Sequence, residues 1–455
     1  MMKWPFDMSP LPVQAEALKR SDEMRGFAYF MEPGMGKTGT VMAEFTDLAE
    51  KGEVDLLLVV CPNNLRANWR SEAEKMGFKY EVSIFPDPAP QQGMWIVNYE
   101  KMISKAFDEI YNEVKKRNFY AVCDESHRIK NFKAKVSKAV IYMFDHAKIK
   151  RVMTGTPVAN NVVDLWAQLR AINKHGAHRS PYTFRNRFGV MGGYMGKQVI
   201  GMQREQELKE MLAECTFTAK KRDWMSTLPP KAYYTLGYEM NIDQKRFYKQ
   251  VMRDRFLALD DSEITAQMVI TALMKMQQIT SGFIIDDDQR VIPLCDPGKN
   301  PKIIAIKDLL EDVPGKVIIF GHYRETINAL ERALEEYGPL VIRGGMDKDD
   351  VSDIVSCFNK YDDNKIIIAQ TATAKEGLTL LGTPNYPCCT TIFAENNYSI
   401  IDRTQAEDRN HRHGQKAEQV SYYDMAGSDI EAKIVKALQD KKDLVNVVME
   451  IKHDS

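Results

Sequence analysis

The sequence predicts an α/β fold of two lobes, each a set of apolar strands alternating with helices, with helical insertions between them. Three observations carry this expectation. Apolar runs of strand length recur between helix-period stretches in the first third of the chain, and again in the last third. The region between them keeps helical periodicity. The chain, at 455 residues and 44% hydrophobic, is long enough for two or three domains with cores of their own.

Taken in order, the first lobe is expected over residues 1–160. FAYFM (27–31) runs into a glycine-rich loop and then a helix, TVMAEFTDLAEK. DLLLVVC (55–61) reads as a buried strand and is followed by a helix through LRANWRSEAEKMG. MWIVNY (94–99), FYAVCD (119–124) and KRVMTG (150–155) complete the set. Residues 161–300 read as helical insertions and a linker, part of which packs on the first lobe. They contain ELKEMLAEC, the break STLPPK (226–231), NIDQKRFYKQVMRDRFLAL and ITALMKMQQIT, whose methionines are helix-packing residues. The second lobe, 301–455, has KVIIFG (316–321), PLVIRG (339–344), KIIIAQ (365–370), TTIFAE (390–395) and QVSYYDM (419–425), then one amphipathic helix from Asp429 to Met449.

The formal net charge of -1 does not advertise a polyanionic partner. Lysine and arginine nevertheless crowd residues 101–151, where NFKAK (131–135) is either a basic contact or a solvated face. No run approaches the roughly 18 apolar residues of a membrane span. The opening MMKWPFDMSP lacks the apolar stretch of a signal peptide, so a cytoplasmic protein without a membrane role is expected. Seven cysteines without a CxxC pair read as free thiols in a reducing compartment. His411 and His413 lack the cysteine partners of a zinc site.

The chemistry starts at MEPGMGKT (31–38), which follows a strand and opens a helix. Gly34 and Gly36 let the backbone wrap a phosphate, and amides at the helix start donate to its oxygens. Lys37 then reaches the β- and γ-phosphates of ATP, and Thr38 holds Mg²⁺. The full loop pattern has glycine where this chain has Met31. VCDESH (122–127) sets two acids at a strand end, Asp124 to hold Mg²⁺ and Glu125 to polarise the attacking water. Hydrolysis builds charge on the γ-phosphoryl group, which an arginine can stabilise. QAEDRNHRHGQ (405–415) offers Arg409 and Arg412, three apart, and on one helical face both would reach the same phosphate chain.

At this point the chain resembles the Snf2 family of superfamily 2 helicase-like ATPases, in a compact form close to the two-lobe core. PVQAEAL (12–18) resembles the adenine-recognising glutamine segment and points to Gln14. MEPGMGKT, LLLVVCPNNLRANWRSEAEK, DESH and RVMTGTPVANNVVDLWAQLRAI resemble motifs I, Ia, II and III. GKVIIFGHYRETINAL, IIIAQTATAKEGLTL and QAEDRNHRHGQ resemble motifs IV, V and VI. All stand in the family's order.

The resemblance implies two RecA-like P-loop NTPase lobes and a DNA-stimulated ATPase that translocates on double-stranded DNA and remodels DNA or protein–DNA complexes. It implies that Thr154 and Thr156 contact the DNA backbone or couple it to the ATP site. Thr371, Lys375 and Gly377 would lie on the strand-tracking face of the second lobe, and Gln405 near the nucleotide. Hydroxyls and amides suit a machine that grips phosphates without reading bases. The chain departs from the family pattern at Thr379, at Tyr398 and at His413. Double-stranded DNA is the expected partner, with single-stranded or branched DNA as the alternative. A monomer is expected, targeted by a separate protein and of viral or bacterial origin. Two other readings stand beside this one: an unwinding or annealing enzyme for branched or single-stranded DNA or RNA, and a nucleic-acid-binding protein without turnover.

Overall fold

The computed structural model describes residues 4–172, 180–192, 198–224, 228–256, 266–286, 288–376 and 378–449. The chain forms two compact units, residues 1–226 with 441–455 and residues 227–440. The stretch expected as helical insertions therefore divides, its first part joining the first unit and its later part the second.

The first unit is built on a seven-stranded parallel sheet. Its strands are β1 (Gly26–Met31), β2 (Leu56–Cys61), β3 (Glu81–Ile84), β4 (Gly93–Asn98), β5 (Phe119–Asp124), β6 (Ile149–Thr154) and, after a separate hairpin of β7 (Gly189–Gly192) and β8 (Gln198–Met202), β9 (Thr216–Ala219). The sheet order is β3-β4-β2-β5-β6-β1-β9. Helices cover both faces of such a sheet, so its strands read as unbroken apolar runs. β2, β4, β5 and β6 are buried at every position. Alternate residues feed two cores, with Phe27, Tyr29, Leu57 and Val59 on one face and Ala28, Phe30, Leu58 and Val60 on the other.

That order matters because β5, β6 and β1 are neighbours. Asp124 pairs with Met153, and Phe30 with Thr154, so the strand ends carrying VCDESH, the TGTP turn and the glycine-rich loop lie side by side. In open α/β sheets the carboxyl ends of the strands form the ligand crevice. Beneath them Glu44 and Arg151, 0% and 1% exposed, form a buried ion pair. Arg151 Nε donates to Glu44 Oε2 at 3.0 Å, and the hydroxyls of Tyr29 and Tyr120 donate to the same oxygen at 2.9 and 2.7 Å.

The second unit has a six-stranded parallel sheet. Its strands are β10 (Lys231–Leu236), then, after a hairpin of β11 (Phe283–Ile285) and β12 (Val291–Pro293), β13 (Lys316–Gly321), β14 (Leu340–Ile342), β15 (Ile366–Gln370), β16 (Cys388–Phe393) and β17 (Val420–Met425). The order is β10-β17-β16-β13-β15-β14. The expected helices appear at Ile242–Phe256, Ala266–Thr280 and Asp429–Met449. All seven cysteines are free. No helix among the described residues is long and apolar enough to cross a membrane.

Candidate active site

The glycine-rich loop leaves β1 at Met31 and enters a helix at Lys37. Gly34 and Gly36 have φ of +82° and +79°, a left-handed conformation that β-carbon-bearing residues avoid. A Cβ on Gly36 would also stand 2.4 Å from Gln14 Nε2. Gln14 braces the loop: its Nε2 donates to Gly36 O at 3.0 Å, and its Oε1 accepts from Leu11 N at 2.8 Å. Lys37 Nζ donates to the carbonyls of Met31 at 2.6 Å and Glu32 at 3.3 Å, which curls the loop over its own strand. Thr38 is the second residue of the helix.

At the end of β5, Asp124 is held by two donors. Trp69 Nε1 reaches Oδ2 at 2.9 Å, and the backbone N–H of Glu125 reaches Oδ1 at 2.8 Å. Tyr99 OH donates to the Asp124 carbonyl at 2.5 Å. Glu125 turns the chain with φ +51°, an uncommon conformation for a residue with a Cβ, and strain of this kind gathers at functional sites. Its carboxylate meets His127 Nδ1 at 3.2 Å and Thr154 Oγ1 at 3.4 Å. His127 Nδ1 lies 3.1 Å from Thr154 Oγ1, which accepts the N–H of Thr156 at 3.1 Å. Ser126 and Gln168 close the arrangement, Ser126 Oγ donating to Gln168 Oε1 at 2.7 Å and Gln168 Nε2 to Pro157 O at 2.7 Å.

The two acids are driven apart electrostatically. Burial and the neighbouring Glu125 charge push the Asp124 carboxyl above its ordinary range, against the pull of the Trp69 N–H and Lys37. Burial also acts to raise Glu125, yet the His127 contact, Lys37 and the Thr154 hydroxyl hold it below its ordinary value. Glu125 is thus kept as an anion, whereas Asp124 is an anion that gains from added positive charge.

In the second unit the helix Ile400–Glu407 ends before Arg409, and both Arg409 and Arg412 lie in the turns that follow. The helical-face expectation therefore fails. The physical cause is local: Arg409 Nε donates to Gln405 O at 2.7 Å and Nη1 to Leu378 O at 3.0 Å, so the side chain closes a turn and pins the 378–380 loop. Leu380 N bonds Arg409 O at 2.9 Å to complete the clamp. Arg409 is buried, while Arg412 is half-buried and donates to Thr379 Oγ1 at 2.6 Å. Gln405 lies on the last turn of the helix. His411 is buried against Pro229 O at 2.9 Å, and His413 is exposed. Thr371 donates to Gly321 O at 3.1 Å at the end of β13. The Lys375 side chain and Gly377 lie outside the described residues.

The residues missed from sequence are the supports. Trp69 was visible in the quoted NW pair, but nothing local says that it meets a carboxylate 55 residues later. His127 was visible in DESH, though not its link to Thr154.

Two family models match the chain: the SNF2-related domain over residues 18–282 and the helicase conserved C-terminal domain over 301–414. The first alone spans more than half of the sequence. The chain belongs to the SNF2-related family. This family of helicase-like, ATP-binding hydrolases has two RecA-like lobes, as the two parallel-sheet units here require. Among curated relatives, the SNF2-related chain is 23% identical to TATA-binding protein-associated factor mot1 of Aspergillus fumigatus, over 88% of this chain and 24% of that protein. It is 24% identical to an uncharacterized ATP-dependent helicase of Mycoplasma pneumoniae, over 91% of this chain and 39% of the relative. The ISWI chromatin-remodeling complex ATPase CHR11 of Arabidopsis thaliana is also 24% identical, over 92% and 40%. The chain thus spans about a quarter to two-fifths of the length of these relatives. A solved SWI2/SNF2 ATPase core of Sulfolobus solfataricus in complex with dsDNA is 21% identical, with a TM-score of 0.45, covering 99% of this chain and 95% of that one.

Proposed function

We propose that the chain is a DNA-stimulated ATPase that translocates on double-stranded DNA and remodels DNA or protein–DNA complexes. One observation carries the coupling: the hydroxyl of Thr154 lies 3.4 Å from Glu125 Oε2 and accepts the Thr156 N–H at 3.1 Å. A phosphate backbone gripping the TGTP turn would pull on the acid that orients water, and the reverse holds by linkage. Chromatin-remodelling ATPases among the relatives support DNA as the partner.

The residues fit MgATP. The loop presents backbone amides that only glycine geometry allows, and Asp124 is a buried carboxylate destabilised as an anion until a cation joins it. Thr38 and Asp124 would hold Mg²⁺, which supplies charge neutralisation at the phosphates. Lys37 would move from its carbonyl partners to the β/γ-phosphates. Glu125 would orient water toward the γ-phosphorus, and cleavage of the bond to the bridging oxygen releases ADP and phosphate. Arg412 is the better placed of the two arginines to stabilise the transferred group, because its side chain is not buried in a clamp. Arg409 would set the turn that presents it. Thr371, Lys375 and Gly377 would face the tracked strand.

Steady-state ATPase activity with blunt duplex, single strands, forks and RNA tests this. Duplex stimulation is expected, with activity lost in Lys37→Ala and on chelation of Mg²⁺. Arg412→Ala should lower turnover by about 1000-fold. Stimulation by forks or single strands alone would move the reading to an unwinding or annealing enzyme. Activity indifferent to nucleic acid would sink translocation.

A further inference from the structure

The first unit holds a cation beside the phosphate loop to which the proposed reaction assigns no role. Lys221 follows the edge strand β9 and is 3% exposed. In register, Met31 pairs with Ala219, and the pairing continues past the strand ends. Glu32 N donates to Ala219 O at 3.0 Å, and Lys221 N donates to Glu32 Oε2 at 2.7 Å. Residues 219–221 are thereby laced to the loop, level with Pro33 and Gly34. The Lys221 side chain then runs along the loop, its Cε 4.0 Å from where a Cβ on Gly34 would stand.

A buried ammonium group is costly unless negative charge meets it. The loop beside it is the one whose geometry suits a polyphosphate, and Gly34 is its exposed rim. Lys37 works from the strand side, next to the carbonyls of Met31 and Glu32. Lys221 comes from the β9 side. We propose that Lys221 is a second phosphate-binding lysine, contacting the terminal phosphate of the nucleotide across the rim of the loop. This rests on the ATP reading of that loop. It also has a mechanical consequence, because Lys221 lies in the last residues of the first unit, which ends at 226. Gain and loss of the γ-phosphate would therefore pull on the segment that leaves the unit.

The test is equilibrium binding, without DNA, of a non-hydrolysable ATP analogue and of ADP, each with Mg²⁺, by isothermal titration. Lys221→Met should weaken the triphosphate about tenfold, the scale of one charge-assisted hydrogen bond, and ADP less than about twofold. Lys221→Arg should restore the preference for triphosphate, and Lys220→Met should leave it unchanged. The ratio of the two affinities within one variant is independent of the fraction folded. Equal losses for both nucleotides, or no loss, would overturn the proposal and make Lys221 a strut of the loop. Wild-type chain that binds neither nucleotide would sink the ATPase reading, and this one with it. Wild type that binds both, with a ratio indifferent to Lys221, would sink this proposal alone.

Discussion

The pair Glu44–Arg151 makes the sharpest stability prediction. Glu44→Gln keeps shape and one carbonyl acceptor but removes the only charge that the structure prints beside the Arg151 guanidinium. Arginine cannot escape by losing its proton. Its basicity is in fact raised here, since Glu44, Tyr120 and Tyr29 outweigh the burial that opposes its charge. Two backbone acceptors remain, Lys150 O and Met24 O, each at 2.9 Å. Breaking one side of a buried pair typically costs about 3–5 kcal/mol, and the retained acceptors place this variant toward the lower end. Against a total of roughly 5–15 kcal/mol for a domain, that is a large fraction. All five tryptophans, Trp4, Trp69, Trp95, Trp166 and Trp224, lie in the first unit, so their fluorescence reports its unfolding in urea without interference from the second. The double variant Glu44→Leu with Arg151→Met should recover most of the loss, because a pair of apolar residues leaves no buried charge unmet. A Glu44→Gln cost below about 1 kcal/mol, or a double variant as unstable as the single, would refute the reasoning.

Three further outcomes are expected. Trp69→Phe removes the N–H to Asp124 Oδ2, a bond to a charged group worth about 1.5–3 kcal/mol, so Mg²⁺-dependent turnover should fall roughly tenfold or more while the fluorescence-monitored midpoint moves little. Arg403→Met leaves Asp424 and Glu407 buried without their guanidinium, which also donates to Asn396 Oδ1 at 2.9 Å; it should destabilise the second unit by about 3–5 kcal/mol, seen by hydrogen exchange in β16 and β17 and silent in tryptophan fluorescence. Thr154→Val removes the hydroxyl between Glu125, His127 and Thr156, and should lower the ratio of DNA-stimulated to basal turnover, with Thr154→Ser restoring it.

Much of this architecture was legible because parallel sheets announce themselves. All ten strands read from apolar runs exist, and each is sheltered by helices or neighbouring strands. The others were hidden for physical reasons. β9 is a four-residue TFTA, too short for periodicity, and it earns its place only by pairing with β1. β10 is half exposed at a sheet edge, with Tyr233 and Tyr234 stacking on Tyr422 and Tyr423, so it lacks the apolar run of an interior strand. The site was legible as motifs and not as contacts. Spacing three residues apart suggested a helix face for Arg409 and Arg412, but spacing cannot reveal that a guanidinium will bind the carbonyls of its own turn.

The division of labour between the acids follows from what their neighbours donate. Two adjacent carboxylates at one strand end would share a similar fate in water. Here Asp124 receives N–H groups yet carries the full burial penalty and the charge of its neighbour, whereas Glu125 swings through a left-handed turn to reach an imidazole and a threonine hydroxyl. Titratable pairs whose surroundings push them in opposite directions have distinct roles. The member that needs a cation belongs to the metal, and the member already stabilised as an anion belongs to water. Because the second is bonded to Thr154 at the end of β6, the base and the turn expected to hold DNA form one hydrogen-bonded unit. Sheet order, through the adjacency of β5, β6 and β1, is what makes that unit possible.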